Sequence, residues 1–425
     1  MKDSGIEWIG DIPEGWRTIN PKALFTQRKD KAQKGERQLT SSQQYGILYQ
    51  DNYMELTGSK VVTVEKDFDI LKHVEAGDFV ISMRSFQGGL EYSTKSGAIS
   101  SAYVMLVPNL ELVYPRFYRW LLKSSVYIDA LQRTTNMVRD GQAMRYSNFA
   151  QVRLFTLPLD EQKSRADFLD LECSSIDKIL FKTRSSVEEY KKLKQAVITQ
   201  AVTKGVRGKR EMKDSGVEWI GEIPKEWGRT KIKMIASFFN GDRTSRYPQP
   251  SDFVDSGVAF LTSRNIDSDE VDLSETKYIT DDKYKSLSGA KIQIDDIIFC
   301  LRGSVGKCAI NRTLSCGTVA SSLATIRPKD IYPEYLLYFL LSNIASTQTT
   351  IFMNGTCAAN LSAESVGNYY ITLPISAEQK EIANYLDAKC AEIDGLIAKK
   401  EQLVKELESY KKSLIYEVVT GKREV

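Results

Sequence analysis

The chain contains one pattern twice. Residues 1–16, MKDSGIEWIGDIPEGW, return as residues 212–227, MKDSGVEWIGEIPKEW, with twelve of sixteen positions identical. Three of the four changes, Ile6/Val217, Asp11/Glu222 and Glu14/Lys225, keep size or polarity. A second duplicated block closes each half: LPLDEQKSRADFLDLECSSIDKIL at 157–180 and LPISAEQKEIANYLDAKCAEIDGLI at 373–397. Both blocks run through a charged stretch to Val202-Thr203-Lys204-Gly205 and Val419-Thr420-Gly421. The parts between correspond more weakly. Gly77-Asp78 leads to Arg84 and Gly88, and Asp295-Asp296 leads to Arg302 and Gly306. A period of more than 200 residues is too long for a solenoid. It describes a tandem duplication of one globular segment plus one long helix.

The helix follows from periodicity. Residues 161–204 hold no Pro and no Gly. Apolar side chains recur at heptad-like spacing: Ile176, Ile179, Leu180, Val187, Tyr190, Leu193, Val197 and Ala201. The second copy offers Ile393, Leu396, Ile397, Leu403, Val404, Leu407, Tyr410 and Leu414. Such a stripe belongs to a helix that pairs with another helix. Thr183 and Lys400 interrupt it, so the expected coiled coil is short and irregular. An internal pseudo-two-fold axis would make the two helices antiparallel. Forty-odd residues at about 1.5 Å each span roughly 65 Å, close to two turns of B-DNA.

The segments between read as α/β (α+β). Short β-like runs, FVISM (79–83), SAYVMLV (101–107), VAFLTS (258–263), IIFCL (297–301) and LATIRP (323–328), alternate with Gly, Asp and Ser turns. A helix is expected after each Tyr-Pro, over 115–123 and 333–342, because proline suits a first helical position. The expected divisions are 1–156, a globular domain with the opening motif; 157–211, a central helix; 212–372, a second globular domain; and 373–425, a C-terminal helix. Trp8 and Trp219 are read as anchors that pack each opening segment on the neighbouring helix.

Chemistry is thin. Six cysteines are scattered with no CxxC pair, and His73 is the single histidine. Triads, zinc sites and most acid–base pairs draw on histidine, so enzymatic readings lose their usual parts. No (N/D)PP(Y/F) loop is present; the nearest string is Asn20-Pro21-Lys22-Ala23. Residues 303–307, GSVGK, miss the Walker A spacing, and Cys308 stands where Ser or Thr is needed. Glu275-Thr276-Lys277 resembles a nuclease ExK without its upstream Pro-Asp. No signal segment or bilayer-length apolar run is visible, so a reduced, cytoplasmic protein with no membrane partner is expected. Net charge is +3. Residues 17–156 carry 19 Lys+Arg against 13 Asp+Glu, whereas residues 228–372 carry 15 against 15.

The duplicated set, in this order, resembles the specificity subunits of type I restriction–modification systems. The residues that carry the resemblance are Gly5-Ile6-Glu7-Trp8-Ile9-Gly10-Asp11-Ile12-Pro13 with Trp16, and Gly216-Val217-Glu218-Trp219-Ile220-Gly221-Glu222-Ile223-Pro224 with Trp227. To these are added Leu157-Pro158 with Glu161-Gln162, Leu373-Pro374 with Glu378-Gln379, and Ile176-Asp177 and Ile393-Asp394. The extra residue in Val-Thr-Lys-Gly departs from the second copy and leaves the linker register open. The resemblance implies two target recognition domains that read a bipartite, asymmetric site on double-stranded DNA. It implies paired helices that dock two modification (methyltransferase) subunits, with a restriction subunit able to join. The chain itself would be non-catalytic and bind no cofactor; S-adenosylmethionine, ATP and Mg would belong to the partner subunits. Two other readings remain: a non-enzymatic coiled-coil scaffold for protein partners, and a free-standing DNA enzyme.

Base reading needs paired donors and acceptors, as in Arg to guanine or Asn and Gln to adenine, while Lys and Ser more often hold phosphates. In the first domain that points to Arg84, Ser85 and Gln87, beside the close-approach Gly88 and Gly89, and to Gln142 and Arg145. In the second it points to Arg243, Arg246, Arg302, Ser304, Lys307 and Asn354. If Arg84 reads a base, Arg84→Ala weakens specific binding by roughly 1–3 kcal/mol. Unchanged discrimination at every half-site position would remove the assignment.

Overall fold

The computed structural model describes residues 1–64, 68–82, 85–134, 144–266, 269–353 and 360–425. The chain divides into two compact units: Met1–Arg184 with Gln402–Val425, and Ser185–Glu401. Among the described residues, no helix is long and apolar enough to cross a membrane.

In the first unit a small hairpin, Lys2–Asp3 on Asp11–Ile12, holds the opening motif. Ser4 hydroxyl accepts from the Ile6 amide, and Gly10 amide closes on Ile6 carbonyl. This curl turns Ile6, Ile9, Ile12 and Trp16 inward. The chain then enters as strand Arg17–Ile19, which pairs with Leu154–Thr156, the strand that leads into the long helix. Entry and exit are thus one antiparallel pair. Between them stands a four-stranded antiparallel sheet in the order Phe25–Arg28, Val104–Pro108, Phe79–Ile81, Glu91–Tyr92. Helices Pro115–Leu121 and Ser125–Arg133 cover it; Pro115 sits at the first turn and Ser124 caps the second.

The second unit repeats the plan. Its opening hairpin pairs Met212–Asp214 with Glu222–Pro224, and the Ser215 hydroxyl accepts from Val217 amide as Ser4 does from Ile6. Gly228–Lys231 pairs with Tyr370–Leu373, again joining entry to exit. The main sheet runs Ala236–Asn240, Leu323–Pro328, Ile297–Cys300, Cys308–Ile310, the same order and sense as in the first unit. A second four-stranded sheet, Phe253–Val254, Lys277–Ile279, Val258–Leu261, Gly317–Val319, has no four-stranded counterpart among the described residues of the first unit, where the pairs Leu39–Ser42 with Gly46–Tyr49 and Lys72–Val74 with Gly97–Ile99 lie instead.

The long helices are Leu159–Lys204 and Ser376–Val419, and each contributes to both units. Within the first unit Asp177 bonds Lys411 at 2.6 Å and Arg184 pairs with Glu408, so the segments run antiparallel. Within the second unit Lys194 bonds Asp394 at 2.8 Å and Lys191 meets Glu401 at 3.8 Å, also antiparallel. The stripe is narrower than its apolar residues suggest. Ile176, Leu180, Val187, Ala201, Ile393 and Leu414 are buried, whereas Ile179, Leu193, Leu396, Leu403 and Tyr410 are exposed. A two-helix contact covers only one seam of each helix, and the flanking positions stay wet. Thr183 is buried in the seam, and Lys400 lies over the Tyr190 ring at 5.6 Å.

Trp8 and Trp219 pack against clusters that include long-helix residues, and Trp16 and Trp227 bond the helices directly. Trp16 Nε1 donates to both Glu161 oxygens at 3.1 Å, and Trp227 Nε1 donates to Glu378 at 2.9 Å. Trp8 instead packs edge-on to Tyr127 and donates to the Arg153 carbonyl. Gly205 and Gly421 end the two helices in the left-handed region, at φ 76° and 75°. Each also packs on its unit's tryptophan: an added Cβ at Gly205 would meet Trp227 at 3.1 Å, and at Gly421 Trp16 at 3.0 Å. Thr203 and Thr420 both turn their hydroxyls back to the carbonyl four residues earlier. The additional Lys204 is therefore absorbed between threonine and glycine.

Gly421→Ala combines an unfavourable φ with a Cβ 2.5 Å from the Pro13 ring. It should cost about 1–3 kcal/mol. Gly395 lies mid-helix with nothing within 4 Å of its Cβ position, so Gly395→Ala should stabilise by about 0.5–1 kcal/mol. Urea midpoints of opposite shift would bear this out; equal midpoints would refute it.

Candidate nucleic-acid interface

The antiparallel sheets decide which loops meet. In the second unit Asn240 lies opposite Ala324, and Cys300 opposite Leu323. The loops after Asn240 and Cys300 and the turn before Leu323 therefore emerge at one sheet end. Direct bonds fasten them: Gly241 amide to Leu323 carbonyl, Leu301 amide to Ser322 carbonyl, and Leu361 amide to Leu301 carbonyl. Arg243 Nε donates to Ser321 carbonyl at 3.4 Å, and Arg302 Nε donates to Asn360 Oδ1 at 3.0 Å. Arg243, Arg246, Arg302, Ser304 and Lys307 are all exposed on these loops. Gly303 and Gly306 hold positive φ, which lets the 301–307 turn reverse between its strands. Asn354 lies outside the described residues.

The first unit has the same geometry with different contents. Arg28 lies opposite Met105 and Ile81 opposite Val104, so the loops after Arg28 and Ile81 share an end. Of the sequence candidates there, Gln87 is exposed and so is Arg145, whose amide donates to Asn148 at the start of helix Tyr146–Gln151. Ser85 is buried and its hydroxyl accepts from Ser82 amide at 2.8 Å, so it faces inward and leaves the surface set. Gly88 and Gly89 are close-approach glycines for protein. A Cβ on Gly89 would strike the Leu122 carbonyl, and one on Gly88 would sit 2.7 Å from Gln43. Arg84 and Gln142 lie outside the described residues.

Two features escaped the sequence reading. Lys29, Lys31, Lys34 and Arg37 stand exposed on the loop after Arg28. That loop is tied to strand Lys72–Val74 by His73 amide to Asp30 carbonyl and Ala32 amide to Leu71 carbonyl. Four basic residues within nine positions were a visible signal. The second is a repeated turn, Gly97-Ala98-Ile99-Ser100-Ser101 and Gly317-Thr318-Val319-Ala320-Ser321-Ser322, each ending at the same sheet end.

Charged groups brace both sheets. Arg28 donates to buried Asp78, and Arg327 to buried Asp296; both guanidiniums are pushed further toward the charged form by that hydrogen bond. His73 bridges Glu36 and Glu75, with 3.0 Å to each. Among the described residues no group of three His, Cys, Asp or Glu side chains could hold a metal ion. Burial pushes the Cys173 and Cys390 thiols up to about 11, which suits packing rather than nucleophilic chemistry.

Comparison with known proteins agrees with this architecture. Residues 224–406 match the model of the type I restriction modification DNA specificity domain. The chain is 24% identical over 358 residues to the MjaVIII specificity subunit of Methanocaldococcus jannaschii, covering 82% of this chain and 80% of that one. A chain from a structure of a type I R-M system, described for its complex assembly and conformational transition, superposes with a TM-score of 0.72 at 13% identity, covering 97% of this chain and all of that one. The HsdS subunit of Thermoanaerobacter tengcongensis gives a TM-score of 0.51 at 14% identity, over 97% and 98%. The fold is the one these two solved chains share. The chain is similar to specificity subunits of type I restriction–modification systems, and residues 224–406 carry their DNA specificity domain.

His73 offers a unique probe, since the chain has one histidine. Burial lowers its pKa, but Glu36 and Glu75 outweigh burial and raise it above 6.5. A raised value means the imidazolium stabilises the fold fully below pH 6.5 and loses that contribution as pH rises through the folded pKa. The first unit should therefore be more stable at pH 6 than at pH 8, and His73→Gln should flatten the difference. A single imidazole resonance that titrates below 6.5 would contradict it.

Proposed function

We propose that this chain is the DNA-reading subunit of a type I restriction–modification complex and performs no bond chemistry itself. The observation that carries the reading is a duplicated scaffold whose two sheet ends bear different loops. A shared scaffold presents its loops to the duplex in the same manner in each domain. Different loop contents then read different bases, so the site is bipartite and asymmetric. Residues 1–156 and 212–372 do the reading, and residues 157–211 and 373–425 provide the helices on which partners dock.

Roles divide by chemistry. Arg243, Arg246, Arg302, Gln87 and Arg145 have the donor patterns for base edges. Ser304, Lys307 and the Lys29–Arg37 loop suit phosphates, which position the protein without selecting sequence. The exposed flanks of the helices offer surface to two modification subunits and, in the complete assembly, a restriction subunit. S-adenosylmethionine, ATP and Mg act in those partners. The absence of a Walker A loop and of an (N/D)PP(Y/F) loop in this chain supports that division. The family's work is on intracellular DNA, and the cytoplasm is the compartment where it is exposed.

Duplex binding should weaken steeply with salt, because each neutralised phosphate contributes about −0.9 to the slope of log K against log salt. With six or more contacts the slope is steeper than about −5. The chain alone should neither methylate nor cut. Cells that carry it with its modification subunit should show adenine methylation at one split motif. A flat salt dependence, or methylation with no split motif, would defeat the proposal.

A further inference from the structure

The loop 241–246 carries two exposed arginines, Arg243 and Arg246, and it is held from beneath by a buried carboxylate. Asp242 is 4% exposed. It accepts from the Thr244 amide at 2.7 Å and hydroxyl at 2.6 Å, and from the Ser288 amide at 2.8 Å and hydroxyl at 3.1 Å. Burial raises its pKa, yet these neutral donors hold it well below the usual carboxylate range, so it stays charged. The backbone is closed as tightly. A Cβ on Gly241 would strike the Ala320 carbonyl, and one on Gly289 would strike the Asp242 amide. Thus the loop, the Ser288-Gly289 turn and the turn at Ala320-Ser321 are locked together.

Neither neighbouring arginine is spent on this carboxylate. Arg243 gives Nε to Ser321 carbonyl, and Arg246 gives Nε to the Thr244 hydroxyl at 3.5 Å. A bond at Nε restrains the plane of a guanidinium and leaves its two terminal nitrogens for a further partner. That is the arrangement a bidentate contact to guanine requires. An arginine pre-set in this way loses less freedom on binding than one on a mobile loop.

We propose that Asp242 is the positioning residue for base reading by the second domain, acting through Arg243 on a guanine edge. The proposal rests on the DNA reading above. It assigns to a residue that never meets DNA the selectivity of one half-site.

The test uses the full chain with its modification subunits and a duplex library randomised over both half-sites. Asp242→Ala should lower the preference for the favoured base at one position of one half-site by about ten-fold. The other half-site, and the salt slope of non-specific binding, should not move. Asp242→Asn keeps an acceptor for only one of the Thr244 and Ser288 amides and sets an NH2 against the other, so it should lose part of the preference, between parent and Asp242→Ala. In an Arg243→Ala background, Asp242→Ala should add almost nothing, an outcome that a general loss of stability would not produce. If Asp242→Ala discriminates like the parent, or if its effect adds in full to that of Arg243→Ala, the positioning role is wrong. If the parent chain shows no base preference at either half-site, the DNA reading itself has failed, and that result appears before any variant is made.

Discussion

The structure depends on one join, made twice. A tryptophan from the opening motif lies against the start of one long helix and donates its indole N–H to a glutamate there: Trp16 to Glu161, Trp227 to Glu378. An arginine covers the ring and grips the same glutamate. In the first unit it is Arg165, 4.9 Å from the ring centre and bonded to the carbonyls of Val418 and Arg423. In the second it is Arg210, 5.0 Å from the ring and bonded to the Lys204 carbonyl. Each arginine therefore also satisfies carbonyls at or beyond the end of the other helix, groups that would otherwise lack partners. One cation, one anion and one indole fasten the opening segment, a helix start and a helix end.

Around this join the other duplicated residues acquire separate tasks. Gln162 and Gln379, next to the glutamates, accept from the Tyr114 and Tyr332 amides and so fix where each Tyr-Pro helix begins. Asp170 takes the Trp120 indole N–H, and Asp387 takes the Tyr338 hydroxyl. Asp177 and Asp394 reach lysines of the antiparallel helix, while Ile176 and Ile393 beside them fill the seam. Exposed ion pairs of this kind contribute little stability singly. Their value here is register: each pair is made in one alignment of the helices and lost in a slipped one.

The scaffold was legible in the sequence because it is duplicated and periodic. Twin opening motifs, twin Glu-Gln pairs and two Pro-free apolar stripes each declare an element by spacing alone. The hydrogen-bonded anchor was not singled out because Trp8 and Trp16 are equally apolar on paper. Only the fold shows that the curl from Ser4 to Gly10 turns Trp8 toward Tyr127 and leaves Trp16 for the helix. Ser85 was misread for a related reason. A serine after a strand can bond locally as readily as at the surface, and here its hydroxyl accepts from the Ser82 amide. Glycines mislead in the same way: Gly88 and Gly89 make room for Gln43 and Leu122, a contact distant in sequence.

What distinguishes the two domains is confined to the places the scaffold leaves free. The first sheet end receives a basic loop tied down through Glu36, His73 and Asp30; the second receives arginines on a loop closed by a buried aspartate. The first arrangement supplies charge that any duplex attracts. The second supplies guanidinium donors whose Nε atoms are held by the protein. The net balance of +6 in one segment and zero in the other follows the same difference between the two sheet ends. Because the join and the helix seam sit elsewhere in each unit, loop residues can change without disturbing them. That separation leaves the scaffold intact while the loops vary.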